Sequence, residues 1–474
     1  MVYNPRDRRF GAGIRSGSTS SYSGSTSIAN YGNSAMTRGN FMRGLGVAGA
    51  GIAAGVMGLS GTVRATGSKN LYVIRVSADT IKVYPMDPNN VPTLNPNALY
   101  SQGQPFSDAK NVQLAVDSAN PGGTAIGNVI LSATDFNGTP KPFNFGDASL
   151  GQGDCVEIKQ GVTITGENGA MIIGGGKANN GYFTAPLIVN SVSKVTISNL
   201  TFDSFGCAAV CVRKCNGVVI TNNVMTNVVP EYQPIYYNVP FAYGVLVTGL
   251  IANPALHLNY GTIQGNIVIT GNTIDLWGQS NDFDDYWLFG AGIGVADIYN
   301  TTAPAPSITI QNNNISNPGQ WGIWTPGTLN SRITIDRNTI NQRAGTYAHD
   351  WVWGGGIAVY PHFASPAGVP TITNNTLTKI QSTLESDLPP PTGIYLEGVQ
   401  GITANLGSNV ITGSGDYAIM VEGPSNSNIF NIYPNTLYGF TCAMYLDSMT
   451  YGNTVNLNGS GYYVHDDDNN TVNQ

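Results

Sequence analysis

A chain of 474 residues and 49.9 kDa is ample for a large core and too long for one ordinary compact unit. Charged residues make up only 10% of it, while Gly (59), Pro (26) and roughly 50 Asn are abundant, the Asn outnumbering Lys, Arg, Asp and Glu together. That argues against a mainly helical protein, because amphipathic helices draw on Ala, Leu, Glu, Lys and Arg. The net charge of −7 and pI near 5.0 argue against a nucleic-acid partner, which calls for a basic face.

Residues 1–35 are rich in Ser, Gly and Tyr and show no core pattern, which reads as disorder. Thr37-Arg-Gly-Asn-Phe-Met-Arg43 follows, then an uncharged Gly/Ala/Val stretch from Gly44 to Val63, then Val63-Arg-Ala65 with small residues where a signal peptidase reads. A basic flank, a weakly apolar run and a small-residue cleavage site form a bacterial secretory signal. It resembles a twin-arginine signal, with Gly39 in place of the second arginine. The expected location is extracellular, periplasmic or at the cell surface. The stretch is near the lower length limit for a membrane span and is diluted by Gly, so no stable span is expected in the mature chain. Retention of residues 1–65 as an assembly arm is the alternative.

Residues 66–107 read as an N-terminal extension, with Asn70-Leu-Tyr-Val-Ile-Arg-Val76 as a strand. Asp108–Ala119 has apolar residues at helical spacing and is followed by Pro121-Gly-Gly as a stop, so a short helix is expected. Val129-Ile-Leu, Val156-Glu-Ile and Val162-Thr-Ile-Thr-Gly are the first strands after it. Cys207, Cys211 and Cys215 are four residues apart, which on a helix would align three thiols for a metal. Their neighbours read as strand, where positions four apart lie about 13 Å from each other, so buried small hydrophobes are expected.

From Val195 one phrase recurs, β-branched alternation followed by Asn and a hydrophobe. It appears as Val218-Val-Ile-Thr-Asn-Asn-Val-Met225, Ile267-Val-Ile-Thr-Gly-Asn-Thr-Ile274 and Ile308-Thr-Ile-Gln-Asn-Asn-Asn-Ile315. It returns as Ile333-Thr-Ile-Asp-Arg-Asn-Thr-Ile340 and Pro370-Thr-Ile-Thr-Asn-Asn-Thr-Leu377. The period, where nothing is inserted, is about 25 residues, inside the range of solenoids. A second strand answers each phrase, among them Gly356-Ile-Ala-Val-Tyr360, Gly393-Ile-Tyr-Leu-Glu397, Ala418-Ile-Met-Val-Glu422 and Ala443-Met-Tyr-Leu-Asp447. Such units bury an apolar face only by stacking, each strand on its equivalent one coil away. Asn tolerates the left-handed turn between strands, and its amide can bond to its counterpart in the next coil. The pattern over residues 108–474 is that of an all-β, single-stranded parallel β-helix with a short N-terminal capping helix. By resemblance it is a right-handed one, similar to the pectate-lyase-like superfamily.

Fold says little about chemistry, so the site has to be read from residues. In the answering strand positions two and four point inward, and positions three and five outward. The third position carries Trp324, Tyr395 and Tyr445, and the fifth carries Tyr360, Glu397, Glu422 and Asp447. The three acids should occupy adjacent coils about 4.8 Å apart, close enough to raise one another's pKa. Paired carboxylates at about 5–10 Å suit glycoside hydrolysis, and Trp324, Tyr360, Tyr395 and Tyr445 suit sugar faces. The resemblance implies the same kind of place, since enzymes of that superfamily keep their sites on an outer face. The candidate catalytic set is therefore Glu397, Glu422, Asp447 and His362, with Glu422 central. The same column also reads as a plain solvated wall.

Insertions at Pro230–Tyr243, Asp275–Phe289 and Gly345–Trp353 break the period with aromatic residues. Asp282, Asp284 and Asp285 in the second offer alternating oxygen ligands, so the cofactor expectation is none, or Ca²⁺ on these three. Loop histidines His349 and His362 flank one coil and could supply a general base. A polyuronate lyase would need cations, and the face offers Arg213 and few others. The reading is an exported protein that binds an extracellular polysaccharide and could cleave it. A non-catalytic surface or adhesive solenoid and a viral tailspike-like fibre are the alternatives.

Overall fold

The computed structural model describes residues 70–77, 80–85, 99–102, 108–120, 126–135, 138–146, 153–167, 169–176, 185–191, 193–229, 231–233, 239–248, 263–276, 289–296, 306–318, 320–326, 331–342, 355–360, 370–381, 392–459, 462–467 and 470–474. The chain divides into two units, Met1–Thr66 and Gly67–Gln474. The export segment lies outside the described residues, as do His349, His362, Asp282, Asp284, Asp285 and most of the three insertions.

The described residues of the second unit hold 34 strands and one helix. From Gly127 onward, apart from a hairpin between Glu231–Gln233 and Val239–Thr248, the strand pairings are parallel and step from one coil to its neighbour, which is a parallel β-helix. Three columns of strands make three faces. The recurring phrase forms the first, for example Ser307–Gln311 against Arg332–Asp336 with Ile308↔Ile333 and Ile310↔Ile335 in register. Three-residue strands such as Asn314–Ser316 and Thr339–Asn341 form the second. The answering strands form the third, as in Gly355–Tyr360 against Ile394–Glu397.

The period-two alternation sends one β-branched set inward. Ile197, Ile220, Ile269, Ile310, Ile335 and Ile372 follow one another up the first face, all inaccessible to solvent. Each such side chain contributes about 1.5–3 kcal/mol by leaving water. Stacking supplies what a lone coil lacks, a continuous partner above and below.

The paired Asn residues of the phrase divide two tasks between them. The first takes the left-handed corner, with φ of 55° at Asn222, 54° at Asn312 and 57° at Asn374; Gly271, Arg337 and Ser408 hold that corner in the other coils. The second, buried in all but the last coil, forms a ladder through Asn223, Asn272, Asn313, Asn338, Asn375, Asn409 and Asn435. In each step the backbone N–H and side-chain Nδ2 of one Asn donate to Oδ1 of the next, at 2.9–3.1 Å. Nδ2 also donates to a first-face carbonyl such as Ile310 O, 2.9 Å from Asn338. These amides are thus satisfied away from water, where an orphan would cost about 1–3 kcal/mol.

The helix α1, Ala109–Ala119, covers the first coil as the apolar spacing predicts. Val112, Ala115, Val116 and Ala119 face the core, and Gln113 is fixed to the Glu157 backbone through both its amide atoms. The strand Asn70–Ser77 joins the first face parallel to Gly127–Ser132 and carries Thr80–Pro85 antiparallel on its other edge. The expected strand is therefore present and continuous with the solenoid.

None of the five cysteines forms a disulfide. Cys207 and Cys211 lie in an outer apolar layer, but Cys215 lies in the inner core, because the strand Ala208–Thr221 slips register between Val212 and Lys214. Burial pushes the Cys155 and Cys215 thiols up to about 11, which keeps them protonated and unreactive at neutral pH.

Candidate functional site

The third face aligns its outward residues in the register that the repeat requires. At the third position the order is Cys211, Leu246, Gly294, Trp324, Ala358, Tyr395, Met420, Tyr445 and His465. At the fifth position Pro326 faces Tyr360 and Glu397 faces Glu422. Asp447 follows in the next coil, its N–H bonded to Val421 O, and Asp467 in the one after, its N–H bonded to Leu446 O. The inward partners Ile394, Leu396, Ile419 and Val421 are fully buried.

This outer face is covered to a large extent, where the sequence suggested open aromatic rings. A second apolar layer runs along it, containing Tyr243, Leu246, Trp321, Tyr395 and Met420. Gly355 is the reason Trp321 lies flat, since a Cβ there would sit 1.8 Å from the Trp321 ring. The indole passes over Gly355 and stacks on Tyr395 two coils along, with centroids 5.7 Å apart. Tyr395 is consequently 2% exposed and offers no free ring face to a sugar. Trp324 is half-buried beside this layer, and the side chain of Tyr360 lies outside the described residues.

The acids are engaged rather than free. Glu397 is 6% exposed. The Tyr395 hydroxyl lies 3.3 Å from Glu397 Oε2 and donates to Oε2 of Glu422, so one phenol links the carboxylates of two successive coils. Asp447 accepts the Met449 N–H at 2.6 Å on Oδ1 and the Gly423 N–H at 3.4 Å on Oδ2. Burial is the main force raising the Asp447 carboxyl, the two amides work against it, and the charges of Glu422 and Asp467 add to the rise. Like-charge repulsion, which the sequence put first, ranks behind desolvation.

The more accessible part of the column lies in the last coils. Tyr417 and Tyr445 stack with centroids 4.3 Å apart and planes 12° from parallel. His465 meets Tyr445 edge-on at 5.4 Å. Asp467 accepts the Tyr445 hydroxyl at 2.6 Å and bonds His465 Nε2 at 2.7 Å, and both contacts lower its own carboxyl. The reading of the repeat missed Trp321, Tyr417, His465 and Asp467. Trp321 and Tyr417 lie three residues before the third position, where strict alternation points inward, yet both join the outer layer. The last coil, Val464-His-Asp466, lacks the β-branched phrase that marks the others.

Among the described residues, no three His, Cys, Asp or Glu converge as a metal ion requires, and no helix is long and apolar enough to cross a membrane.

Residues 187–383 match the family described as a right handed beta helix region. The solved structure of PfbA, a surface adhesin of Streptococcus pneumoniae, is similar at 12% identity, covering 76% of this chain and 88% of that one with a TM-score of 0.39. No curated protein matches the sequence. With its coils stacked in parallel register on either side of the matched segment, the chain is a right-handed β-helix repeat protein.

Proposed function

We propose that this is an exported bacterial surface protein that binds an extracellular polysaccharide on the third face of its C-terminal coils. The observation that carries the reading is the Tyr417–Tyr445 stack beside Glu422, Asp447 and Asp467. Flat rings offer an apolar surface to the C–H face of a sugar, and fixed carboxylates accept its hydroxyls. Export rests on the basic flank, apolar run and small-residue site between Thr37 and Ala65.

The geometry favours binding over cleavage. A general acid or nucleophile needs an open path to the glycosidic bond. Glu397 is buried beneath the Tyr395 phenol and Asp447 is held by two amides, so neither has that freedom. Glu422, half-buried, has more access than either of them. A glycan array with the natively produced protein, followed by analysis of products from any bound glycan, tests the reading. Binding without new reducing ends is expected. Absence of any glycan ligand overturns the proposal, and release of oligosaccharides by the wild type but not Glu422→Gln makes the face catalytic.

A further inference from the structure

Charge is segregated along this sequence. Lys379 is the last Lys or Arg, and nine acids follow it, so the C-terminal fifth alone carries −9 while the whole chain carries −7. Six of the nine are Glu397, Asp416, Glu422, Asp447, Asp466 and Asp467, and no basic side chain except His465 stands among them.

The aromatic platform lies within this anionic zone. Asp467 holds the Tyr445 hydroxyl and the His465 ring through separate oxygens, which fixes the Tyr445 plane against Tyr417. Nδ1 of His465 has no hydrogen-bond partner among the described residues. After burial, the charges of Asp416, Cys442 and Asp467 push the Tyr417 phenol up, so both carboxylates are felt at the platform. Rings held in a field of carboxylates favour a cation on the ring face, where quadrupole and charge attract it together. A polymer bearing carboxylates meets repulsion at the same place, with no Lys or Arg in the C-terminal fifth to relieve it.

We propose that the Tyr417–Tyr445–His465 platform takes a polysaccharide with free amino groups, that is, a de-N-acetylated hexosamine polymer. The ring face of a hexosamine lies on the stacked tyrosines, and its ammonium lies toward Asp416 or Asp467. This rests on the polysaccharide reading above and narrows it to one chemical class.

The test uses the full chain at mildly acidic pH and measures affinity for four oligosaccharides of equal length. They are a glucosamine oligomer, its N-acetylated form, a neutral glucan and an oligogalacturonate. The glucosamine oligomer should bind at least about tenfold more tightly than the neutral pair, the uronate weakest, and the preference should shrink as salt rises. Tyr445→Ala should remove most of the binding, and Asp467→Asn, an exposed and conservative change, should weaken the glucosamine oligomer several-fold more than the neutral pair. Equal or tighter binding of neutral or uronate oligomers, still lost in Tyr445→Ala, overturns the amino-sugar class and leaves the polysaccharide reading standing. Binding of none of the four here and of no glycan on the array overturns both. Glucosamine binding that survives Tyr445→Ala and Tyr417→Ala in folded protein overturns the platform. A Lys-rich peptide that binds as tightly, with the same sensitivity to Tyr445→Ala, assigns the zone to a basic protein partner instead.

Discussion

The phenol of Tyr395 stands between Glu397 of its own strand and Glu422 of the next coil, donating to the second while 3.3 Å from the first. A phenol has one proton to give, so the two carboxylates share this donor. Tyr395→Phe removes that donor and leaves two buried or half-buried carboxylates facing each other. A loss of about 1–3 kcal/mol at neutral pH is expected, read from urea midpoints. An unchanged midpoint would mean that other groups satisfy both acids.

The Asn ladder should show a gradient of sensitivity. Asn338→Ala orphans the Asn313 backbone N–H and one of its two Nδ2–H groups, the other keeping Ile269 O, and takes a donor from the Ile310 carbonyl, all buried. The cost should exceed about 3 kcal/mol. Asn435→Ala, at the partly exposed end, should cost about 1 kcal/mol. Equal losses at the two sites would argue that the ladder does not contribute through desolvated hydrogen bonds.

Ile419 is fully buried between Ile394 and Met444 of the neighbouring coils. Ile419→Asp places an unpaired charge in that stack and should destabilise by about 4 kcal/mol or more, or prevent folding. Ile419→Val should cost about 1 kcal/mol. Tolerance of Asp, measured by thermal melting, would contradict the inward register.

Asp447 should give stability a distinct pH dependence. Burial holds its folded-state carboxyl above the ordinary 3.8, so the native protein binds this proton more tightly than the unfolded chain. Its favourable contribution is therefore complete below about pH 4 and is lost as pH rises through the raised native value. Asp447→Asn cancels this titration. The stability of the variant relative to wild type should climb between about pH 4 and pH 7, in a series of urea melts. A difference that falls over that range would reverse the assigned direction.

Much of this architecture was legible because each coil repeats the same alternation. Ile310, Ile335 and Ile372 read as inward from period two alone, and the coil-to-coil pairing of Glu397 with Glu422 follows from equal spacing after one phrase. What local sequence does not contain is the neighbour one or two coils away. Trp321 covers Gly355 and reaches Tyr395, 34 and 74 residues downstream, so the outer layer that buries Tyr395 was invisible to a reading made strand by strand. Asp467 was missed for a different reason, since its coil is short and lacks the Ile-x-Ile core pair. The two uses of the Asn pair, corner and ladder, became separable only when φ and hydrogen bonding were seen together.

The ladder also has a direction. Every Oδ1 receives from the coil before it; the series opens where Leu200 N–H donates to Asn223, and it closes where Asn435 N–H meets the Tyr462 hydroxyl. It is a one-way thread with dedicated start and stop residues. A duplicated turn inserted between them finds a donor on one side and an acceptor on the other, and joins without a mismatch. A fraction of a turn, or one in reversed orientation, breaks the thread twice. Growth and shrinkage of this molecule over evolutionary time are thus quantised in whole turns, with the surface of each new turn free to diverge.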